Sequence, residues 1–331
     1  MRRKLVYLIL LAAFGCGTAF AQQMPLFTNY LLNAYAFNPA VVGSNNFVQA
    51  NMNYRNQWTG FDGAPKTYMA SLYGPFRKSD KVGLGGMIST DMTGLLQRTG
   101  GYLTYAYHVK LNDDFKLGMG LSAGAMQYRV RLYDAKLYDK DDELLNGNLL
   151  SKIVFDMNAG LYFYGKDLFV GVSASQAANN KISFTGSDSR LTPHIYAMAG
   201  YTIKVNKKFG LQPSALVKFS DPVGAQPEFG LRGIFMKQFW VGASYRTNDS
   251  YSLLLGAVCL ERISIGYAYD LSFSGIRKYT SGSHELQLTY SFIKTKKQRD
   301  ADQEEFNNID NSFKSNLRNK KKKPEDKEGE K

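Results

Sequence analysis

The sequence predicts an all-β protein, a transmembrane antiparallel β-barrel of about fourteen strands. Aromatic residues make up 14% of the 331 residues, with 22 Tyr and 21 Phe, and there are 31 Gly. This composition is typical of many short strands rather than of helices. After the N-terminal apolar stretch, no apolar run approaches the ~18 to 20 residues of a membrane-spanning helix. Strands are therefore the elements with which this chain is expected to cross a bilayer.

Apolar residues alternate with small or polar ones in segments of about ten residues, the length of a tilted strand that crosses a bilayer. Between residues 101 and 109, one face carries Leu103, Tyr105, Tyr107 and Val109, and the other carries Tyr102, Thr104, Ala106 and His108. A soluble sandwich or propeller also has alternating strands, but its exposed face carries Lys, Glu and Thr. The pattern therefore favours the membrane barrel.

Fourteen such segments are predicted, separated by Gly, Pro, Asn, Asp and Lys. They lie near residues 47–56, 65–76, 81–91, 97–110, 115–129, 152–164, 167–175, 192–205, 209–219, 225–236, 237–247, 250–259, 262–273 and 283–293. An even number of strands fits a closed barrel with both termini on one side of the membrane, here the periplasmic side. The barrel is expected to occupy residues 47–293.

Residues 1–21 have the features of an export signal. A basic start at Arg2–Lys4 precedes the apolar run Leu5–Phe14, and Ala19–Ala21 forms a small-x-small cleavage site. A lipidated Cys16 is the alternative, but Ala13 stands where a lipidation motif usually has Leu. Cleavage after residue 21 would remove Cys16 and leave one cysteine, so no intramolecular disulfide is expected.

Two further segments flank the predicted barrel. Residues 22–46 carry many apolar side chains and are expected to pack inside or beneath the barrel as a plug. Residues 294–331 are rich in both Lys and Glu and are expected to form a disordered periplasmic tail. The run Lys320, Lys321, Lys322 and Lys323 is a candidate for binding an acidic partner surface, and its alternative is a solvated extension without a role.

The formal net charge of +13 is shared by the signal, the tail and the segment between them. No nucleic-acid-binding module is present, and an exported protein meets little nucleic acid. Anionic lipid head groups of the bilayer, including lipopolysaccharide, or an acidic protein partner explain the excess better.

Catalytic and metal-binding patterns are absent. His108, His194 and His284 fall on separate predicted strands without metal-ligand spacing, and no GxSxG motif occurs. The acidic run Asp139–Glu143 lacks the turn glycine of a calcium loop, so a solvated loop is favoured. We therefore expect a non-enzymatic protein without metal or cofactor.

The stretch NYRNQWTGFDGAPKTY, residues 53–68, covers the first predicted hairpin and allows two interpretations. In the first, it is a turn with Trp58 as an aromatic anchor, because glycines supply turn dihedrals and Pro65 is tolerated at the start of a strand. In the second, Arg55, Gln57 and Lys66 form a polar cluster that faces a partner.

Four motifs resemble the PorP/SprF family of outer-membrane proteins of the type IX secretion system. They are YRNQWTG, GAPKTY, NPAVVGS at residues 38–44 and GSHELQLTYSF at residues 282–292, and the resemblance covers residues 24–293. It implies a FadL-like fourteen-stranded barrel integral to the outer membrane and a role in protein secretion or gliding. The resemblance implies a member of the core apparatus or one that serves particular cargo. We expect it to bind the C-terminal domain of a cargo protein or to link the translocon to periplasmic motor parts.

The residues of these motifs are the candidate partner-binding residues. They are Asn38, Pro39, Arg55, Gln57, Trp58, Lys66, His284 and Glu285, in addition to the Lys run of the tail. Two alternatives stay open. A FadL-like channel would pass hydrophobic small molecules, although the predicted lumen is polar, and a structural anchor would hold periplasmic proteins through the tail.

Overall fold

The computed structural model describes residues 27–76, 81–131, 151–183, 188–221, 223–260 and 262–292. Fourteen strands form one antiparallel barrel. They are β1 Gln49–Asn56, β2 Lys66–Pro75, β3 Val82–Thr93, β4 Leu96–Lys110, β5 Phe115–Val130, β6 Ser151–Gly165, β7 Leu168–Ser175, β8 His194–Tyr201, β9 Phe209–Ser220, β10 Gly224–Phe235, β11 Phe239–Arg246, β12 Ser250–Cys259, β13 Ile263–Ser272 and β14 Ser283–Ser291. The predicted signal peptide and tail lie outside the described residues.

The sheet closes on itself, because each strand pairs with a neighbour on both sides. Strands β1 and β14 pair from Gln49 opposite Ser291, and β8 and β9 pair from His194 opposite Ser220. The prediction of an antiparallel barrel with fourteen strands is confirmed. The segment predicted as 192–205 breaks at Thr202 and continues as the short piece Ile203–Lys204. A separate hairpin, Lys181–Ser183 with Asp188–Arg190, was not predicted because its strands are too short to show alternation.

The two faces of the barrel wall differ sharply in polarity. On β4, Leu103 is 77% exposed, whereas the neighbouring Tyr102 and Thr104 are buried. The same alternation holds for β13 and β14, where Leu271 and Leu286 are exposed and Asp270 and Gln287 are buried. A barrel with an apolar outer face and a polar inner face is suited to a bilayer. Among the described residues, no helix has the length and apolarity needed to cross a membrane.

The two ends of the barrel also differ. One end carries the turns that join β2–β3, β4–β5, β6–β7, β8–β9, β10–β11 and β12–β13, the longest of which is the seven-residue stretch 202–208. We call it the turn end, and the chain leaves β14 there at Ser291. The opposite end, which we call the loop end, carries the connections 57–65 and 273–282 as well as the longer ones between β5 and β6 and between β7 and β8.

Residues Phe27–Ser44 lie against the inner face of the barrel. The chain bends through two 3₁₀ turns, Ala34–Ala36 and Pro39–Val41. Phe27, Tyr30 and Phe37 pack with inward side chains of several strands. This cluster contains Met69, Tyr196, Met198 and Leu216. The described part of the predicted plug is therefore packed in the interior, which is where the hydrophobic core of this protein lies.

Candidate functional site

A cluster of charged side chains lies inside the barrel near the loop end. We call it the ion cluster, and it consists of Arg55, Glu228, Arg246, Asp249, Asp270 and Glu285. Five strands and the β11–β12 turn contribute these residues. The five strand residues occupy inward positions of their alternating segments and lie within about five residues of the loop end, and Asp249 joins them from the β11–β12 turn.

Arg55 joins three strands. Its Nη2 atom lies 2.5 Å from Asp270 Oδ2, and its Nη1 atom lies 3.1 Å from Glu285 Oε2. Glu285 stands directly opposite Arg55 in the β1–β14 register, so the strand pairing itself brings the two charges together. Arg55 is 2% exposed and Glu285 is fully buried. A buried carboxylate and guanidinium are tolerated here because each is paired.

Arg246, on the other side of Asp270, is likewise paired with two carboxylates. Its Nε atom lies 2.8 Å from Glu228 Oε2, and its Nη1 atom lies 2.9 Å from Asp249 Oδ2. Glu228 is directly opposite Arg246 in the β10–β11 register and also accepts a hydrogen bond from Ser244. Asp270 Oδ2 lies 3.8 Å from Arg246 Nη1, so Asp270 interacts with both guanidinium groups.

Thr28 ties the N-terminal segment to the ion cluster. Its hydroxyl accepts hydrogen bonds from Arg55 Nη1 and Arg246 Nη2, both at 3.1 Å, and lies 2.9 Å from Asp270 Oδ1 as a donor. One hydroxyl offers one proton and two lone pairs, so its full capacity is used. The backbone N–H groups of Thr28 and Asn29 also donate to Glu285, at 2.7 and 3.0 Å.

The other half of the N-terminal segment is held by close backbone packing instead of charge. The motif Asn38–Gly43 crosses inward-facing glycines of four strands, Gly83, Gly118, Gly120, Gly160 and Gly171. A Cβ atom at Gly83 would overlap the carbonyl group of Val42, and one at Gly120 would overlap the backbone of Pro39 and Ala40. These strand positions therefore require glycine for the segment to lie where it does.

Asn38 fixes the start of this packed stretch. Its Nδ2 atom donates to the carbonyl oxygen of Leu161 at 2.9 Å, and its Oδ1 atom accepts from the N–H of Ala40 at 2.9 Å. The side chain therefore caps the 3₁₀ turn that begins at Pro39 while holding β6. At the end of the stretch, His108 Nε2 lies 2.8 Å from the carbonyl oxygen of Val42.

Two connections at the loop end are joined above the ion cluster. The N–H of Thr59 donates to Gly282 at 2.7 Å, the N–H of Ser281 donates to Thr59 at 2.9 Å, and the N–H of Trp58 donates to the Ser283 hydroxyl at 3.1 Å. Because residues 57–65 and 273–282 are joined, they present one surface. We call five exposed side chains of this surface and the adjoining start of β2 the platform: Phe61, Lys66, Arg277, Lys278 and Tyr279. The acidic Asp62 is also exposed there.

The predicted candidates occupy different environments. Arg55, Gln57, Asn38, Pro39 and Glu285 are buried in the interior. His284 is partly buried, with its Nδ1 atom 2.7 Å from the Tyr267 hydroxyl. Trp58 is partly buried at φ +53°, and Lys66 is exposed. Arg55 and Lys66 thus lie on opposite faces, so Arg55, Gln57 and Lys66 do not form one patch. Lys320–Lys323 lie outside the described residues.

Sequence reasoning missed several members of the site. It did not single out Thr28, Glu228, Arg246, Asp249 or Asp270. The available signal was a charged residue at an inward position close to the same end of several strands, which is unusual unless the charges are paired. Among the described residues, no group of three His, Cys, Asp or Glu side chains is arranged to hold a metal ion.

A closed barrel with an apolar outer face and a paired, polar interior defines an integral β-barrel membrane protein. Residues 19–290 match the family described as "Type IX secretion system membrane protein PorP/SprF". The match covers most of the chain, so the protein belongs to the PorP/SprF family, as the sequence motifs indicated. No curated protein shows significant sequence similarity to the chain.

Several solved barrels have a similar fold. The Ralstonia pickettii toluene transporter TbuX is 11% identical, with a TM-score of 0.47, over 78% of this chain and 92% of that one. A Pseudomonas aeruginosa FadL homologue is 13% identical, with a TM-score of 0.45, over 78% and 94%. The CymD monoaromatic hydrocarbon channel is 11% identical, with a TM-score of 0.49, over 83% and 95%. These similarities are too distant to assign a function.

Proposed function

We propose that this protein is a non-enzymatic outer-membrane component of type IX secretion that acts by binding, and that the platform contacts the C-terminal domain of a secreted cargo protein. Family membership supports the secretion role. The observation that carries the binding role is the joined pair of connections at the loop end, which presents exposed Phe61 and Tyr279 beside Lys66, Arg277 and Lys278. Rigidly held aromatic and basic side chains are favourable binding groups.

The predicted binding residues have different roles in this proposal. Lys66 and the partly buried Trp58 contact the partner. Arg55, Gln57, His284 and Glu285 support the strand ends that carry the platform, and Asn38 and Pro39 fix the N-terminal segment. The Lys run of the tail, Lys320–Lys323, is proposed as a separate contact that links the barrel to periplasmic motor parts.

The N-terminal segment Phe27–Ser44 is proposed to act as a plug. The proposal is supported by contacts in both halves of the segment. Thr28 is hydrogen-bonded to the ion cluster, and Asn38–Gly43 pack closely against strand glycines. In this proposal the turn end faces the periplasm, because outer-membrane barrels have short periplasmic turns and longer external loops. The chain after Ser291 would then begin in the periplasm.

A channel for hydrophobic small molecules is the weaker candidate. A site for such ligands is expected to be lined mainly by apolar side chains. Most buried inner-face residues of β1, β2 and β14 are instead polar, and the apolar Met69 and Tyr73 of β2 pack against the N-terminal segment. The polar ones include Gln49, Asn51, Asn53, Thr67, Ser71, Gln287 and Thr289.

The test is an affinity pull-down from detergent-solubilised outer membranes of the secreting bacterium. Phe61→Ala with Tyr279→Ala removes the exposed aromatic side chains of the platform. We expect this variant to lose a co-purifying protein with a type IX C-terminal secretion domain and to release less of that protein from the cell. The control is Met236→Ala with Leu260→Ala at the turn end, where the side chains are 60% and 82% exposed against 45% and 67% for Phe61 and Tyr279. Recovery of the same cargo by both variants would show that the platform is not the binding surface.

A further inference from the structure

Basic residues surround the turn end of the barrel. Among the described residues, every one of its six turns, counted with the flanking strand ends, carries Lys or Arg. We call these residues the basic rim, and they are Lys81, Lys110, Lys116, Lys166, Lys204, Lys207, Lys208, Lys237 and Arg262. Most of them are exposed, and Lys116 and Arg262 are partly buried.

The acidic residues described at this end do not neutralise the rim. Asp113, Asp114 and Asp167 all lie in the β4–β5 and β6–β7 turns, which are neighbours. Lys110 pairs with Asp113 and Lys204 pairs with Asp167, both at 2.6 Å. Exposed pairs of this kind are weak and exchange readily with other partners. The rim therefore presents positive charge around the whole circumference.

Apolar side chains protrude between these charges. Leu111 and Val205 are exposed in the β4–β5 and β8–β9 turns, and Met236 and Leu260 are 60% and 82% exposed in the β10–β11 and β12–β13 turns. Met236 and Leu260 have φ values of +51° and +53°. That left-handed conformation favours Gly or Asn, so the turn geometry does not account for Met or Leu at these positions. Their exposed side chains add apolar surface beyond the strand ends.

We call the exposed apolar residues of these turns, Leu111, Val205, Met236 and Leu260, the apolar tips. We propose that the basic rim and the apolar tips form a binding surface for anionic phospholipids. In this proposal the lysines contact head-group phosphates and the tips lie at the boundary with the acyl chains. A Lys or Arg side chain spans this boundary well, because its stem is apolar and its head is charged. A phospholipid leaflet contacts the barrel around its entire circumference, and the basic rim also extends around the entire circumference. A protein partner would contact one arc, and the charge is not confined to one arc.

The loop end provides the contrast. Its turns 221–223 and 247–249 carry no Lys or Arg among their described residues. In the described part of the chain, its exposed basic residues are Lys66, Arg277 and Lys278 of the platform and Arg190 before β8, and its partly buried ones are Arg129, Arg131 and Lys152 of the β5–β6 side. Arg246, beside turn 247–249, is buried in the ion cluster. The exposed basic charge of the loop end is therefore interrupted where that of the rim is not. The assignment to phospholipid, rather than to the phosphates of lipid A, rests on the proposed periplasmic orientation of the turn end.

The experiment measures lipid selectivity of the purified, full-length protein. The protein is reconstituted in phosphatidylcholine vesicles that contain trace spin-labelled phosphatidylglycerol or phosphatidylcholine, and electron paramagnetic resonance gives the protein-bound fraction of each label. We expect phosphatidylglycerol to be preferred by at least about threefold at low salt, since each basic group near the surface attracts anionic lipid. The preference should fall towards unity at ~1 M salt, where the Debye length is ~3 Å.

Two triple variants with equal charge change locate the site. Lys207→Gln, Lys208→Gln and Lys237→Gln should reduce the preference by about a third, because three of nine rim charges are removed. Lys66→Gln, Arg277→Gln and Lys278→Gln should leave it unchanged. Gel migration of unheated and heated samples checks that each barrel is folded.

Four results would overturn the proposal. The first is equal binding of both labels to the wild type. The second is an equal loss in both triple variants. The third is selection of labelled lipid A without selection of phosphatidylglycerol, which would place the turn end in the outer leaflet. The fourth is unchanged lipid selectivity in the rim variant, which would leave the rim to a protein partner. Secretion is not measured, so the result is independent of cargo binding.

Discussion

At the scale of single residues, Thr28 is the most informative position. Its hydroxyl contacts Arg55, Arg246 and Asp270, which belong to strands far apart in the sequence. The same guanidinium groups are also paired with carboxylates, Arg55 with Glu285 and Arg246 with Glu228. The ion cluster and the N-terminal segment therefore stabilise each other.

Thr28→Val preserves the shape of the side chain and removes these hydrogen bonds. We expect the folded barrel to lose about 1 to 3 kcal/mol, because buried charged donors would be left without an acceptor. Denaturant unfolding followed by the gel shift of the folded barrel measures the change. Thr90→Val is the control, since the Thr90 hydroxyl bonds only the neutral hydroxyl of Thr99 at 3.1 Å in a partly buried site. Equal losses in the two variants would mean that the ion cluster does not depend on Thr28.

At the scale of elements, the strands could be predicted and the path of the N-terminal segment could not. Alternation with a period of two is a property of the local sequence, so the residues of the two faces of β4 were predicted correctly. The partners of Arg55 depend on register across the barrel, since Asp270 and Glu285 lie more than two hundred residues away. The segment Phe27–Ser44 has two short 3₁₀ turns and no repeating pattern, so sequence could indicate burial but not contacts.

The glycine packing beneath Asn38–Gly43 gives a prediction for this element. Gly120→Val places a branched side chain where Pro39 and Ala40 lie, so we expect a loss of about 1 to 3 kcal/mol and faster protease cleavage of the N-terminal segment. Gly86→Val is the matched change on the outer face, where a Cβ atom would lie 3.7 Å from its nearest neighbour, Leu103. It should change stability by about 0.5 kcal/mol or less. Cleavage at the same rate in both variants would argue against a fixed segment.

At the scale of the whole molecule, polarity is arranged by depth as well as by face. The middle of the outer wall is apolar, as at Leu103, Leu121 and Phe155, whereas the turn end mixes apolar tips with the basic rim. The interior carries the polar residues and the paired charges. This arrangement orients the barrel along one axis and distinguishes a middle zone from a boundary zone, which a soluble barrel would have no reason to do.

Arginine substitutions at two depths test this arrangement. Leu103→Arg places a charge at the middle of β4 and should cost ~2 to 4 kcal/mol in a bilayer, whereas Leu260→Arg in the β12–β13 turn should cost ~0 to 1 kcal/mol. Both leucines are highly exposed, at 77% and 82%, so packing within the protein contributes little to either change. Unfolding in lipid vesicles gives the two losses. Losses of similar size would mean that the surroundings of Leu103 are no more apolar than those of Leu260. The bilayer would then not lie across the middle of β4.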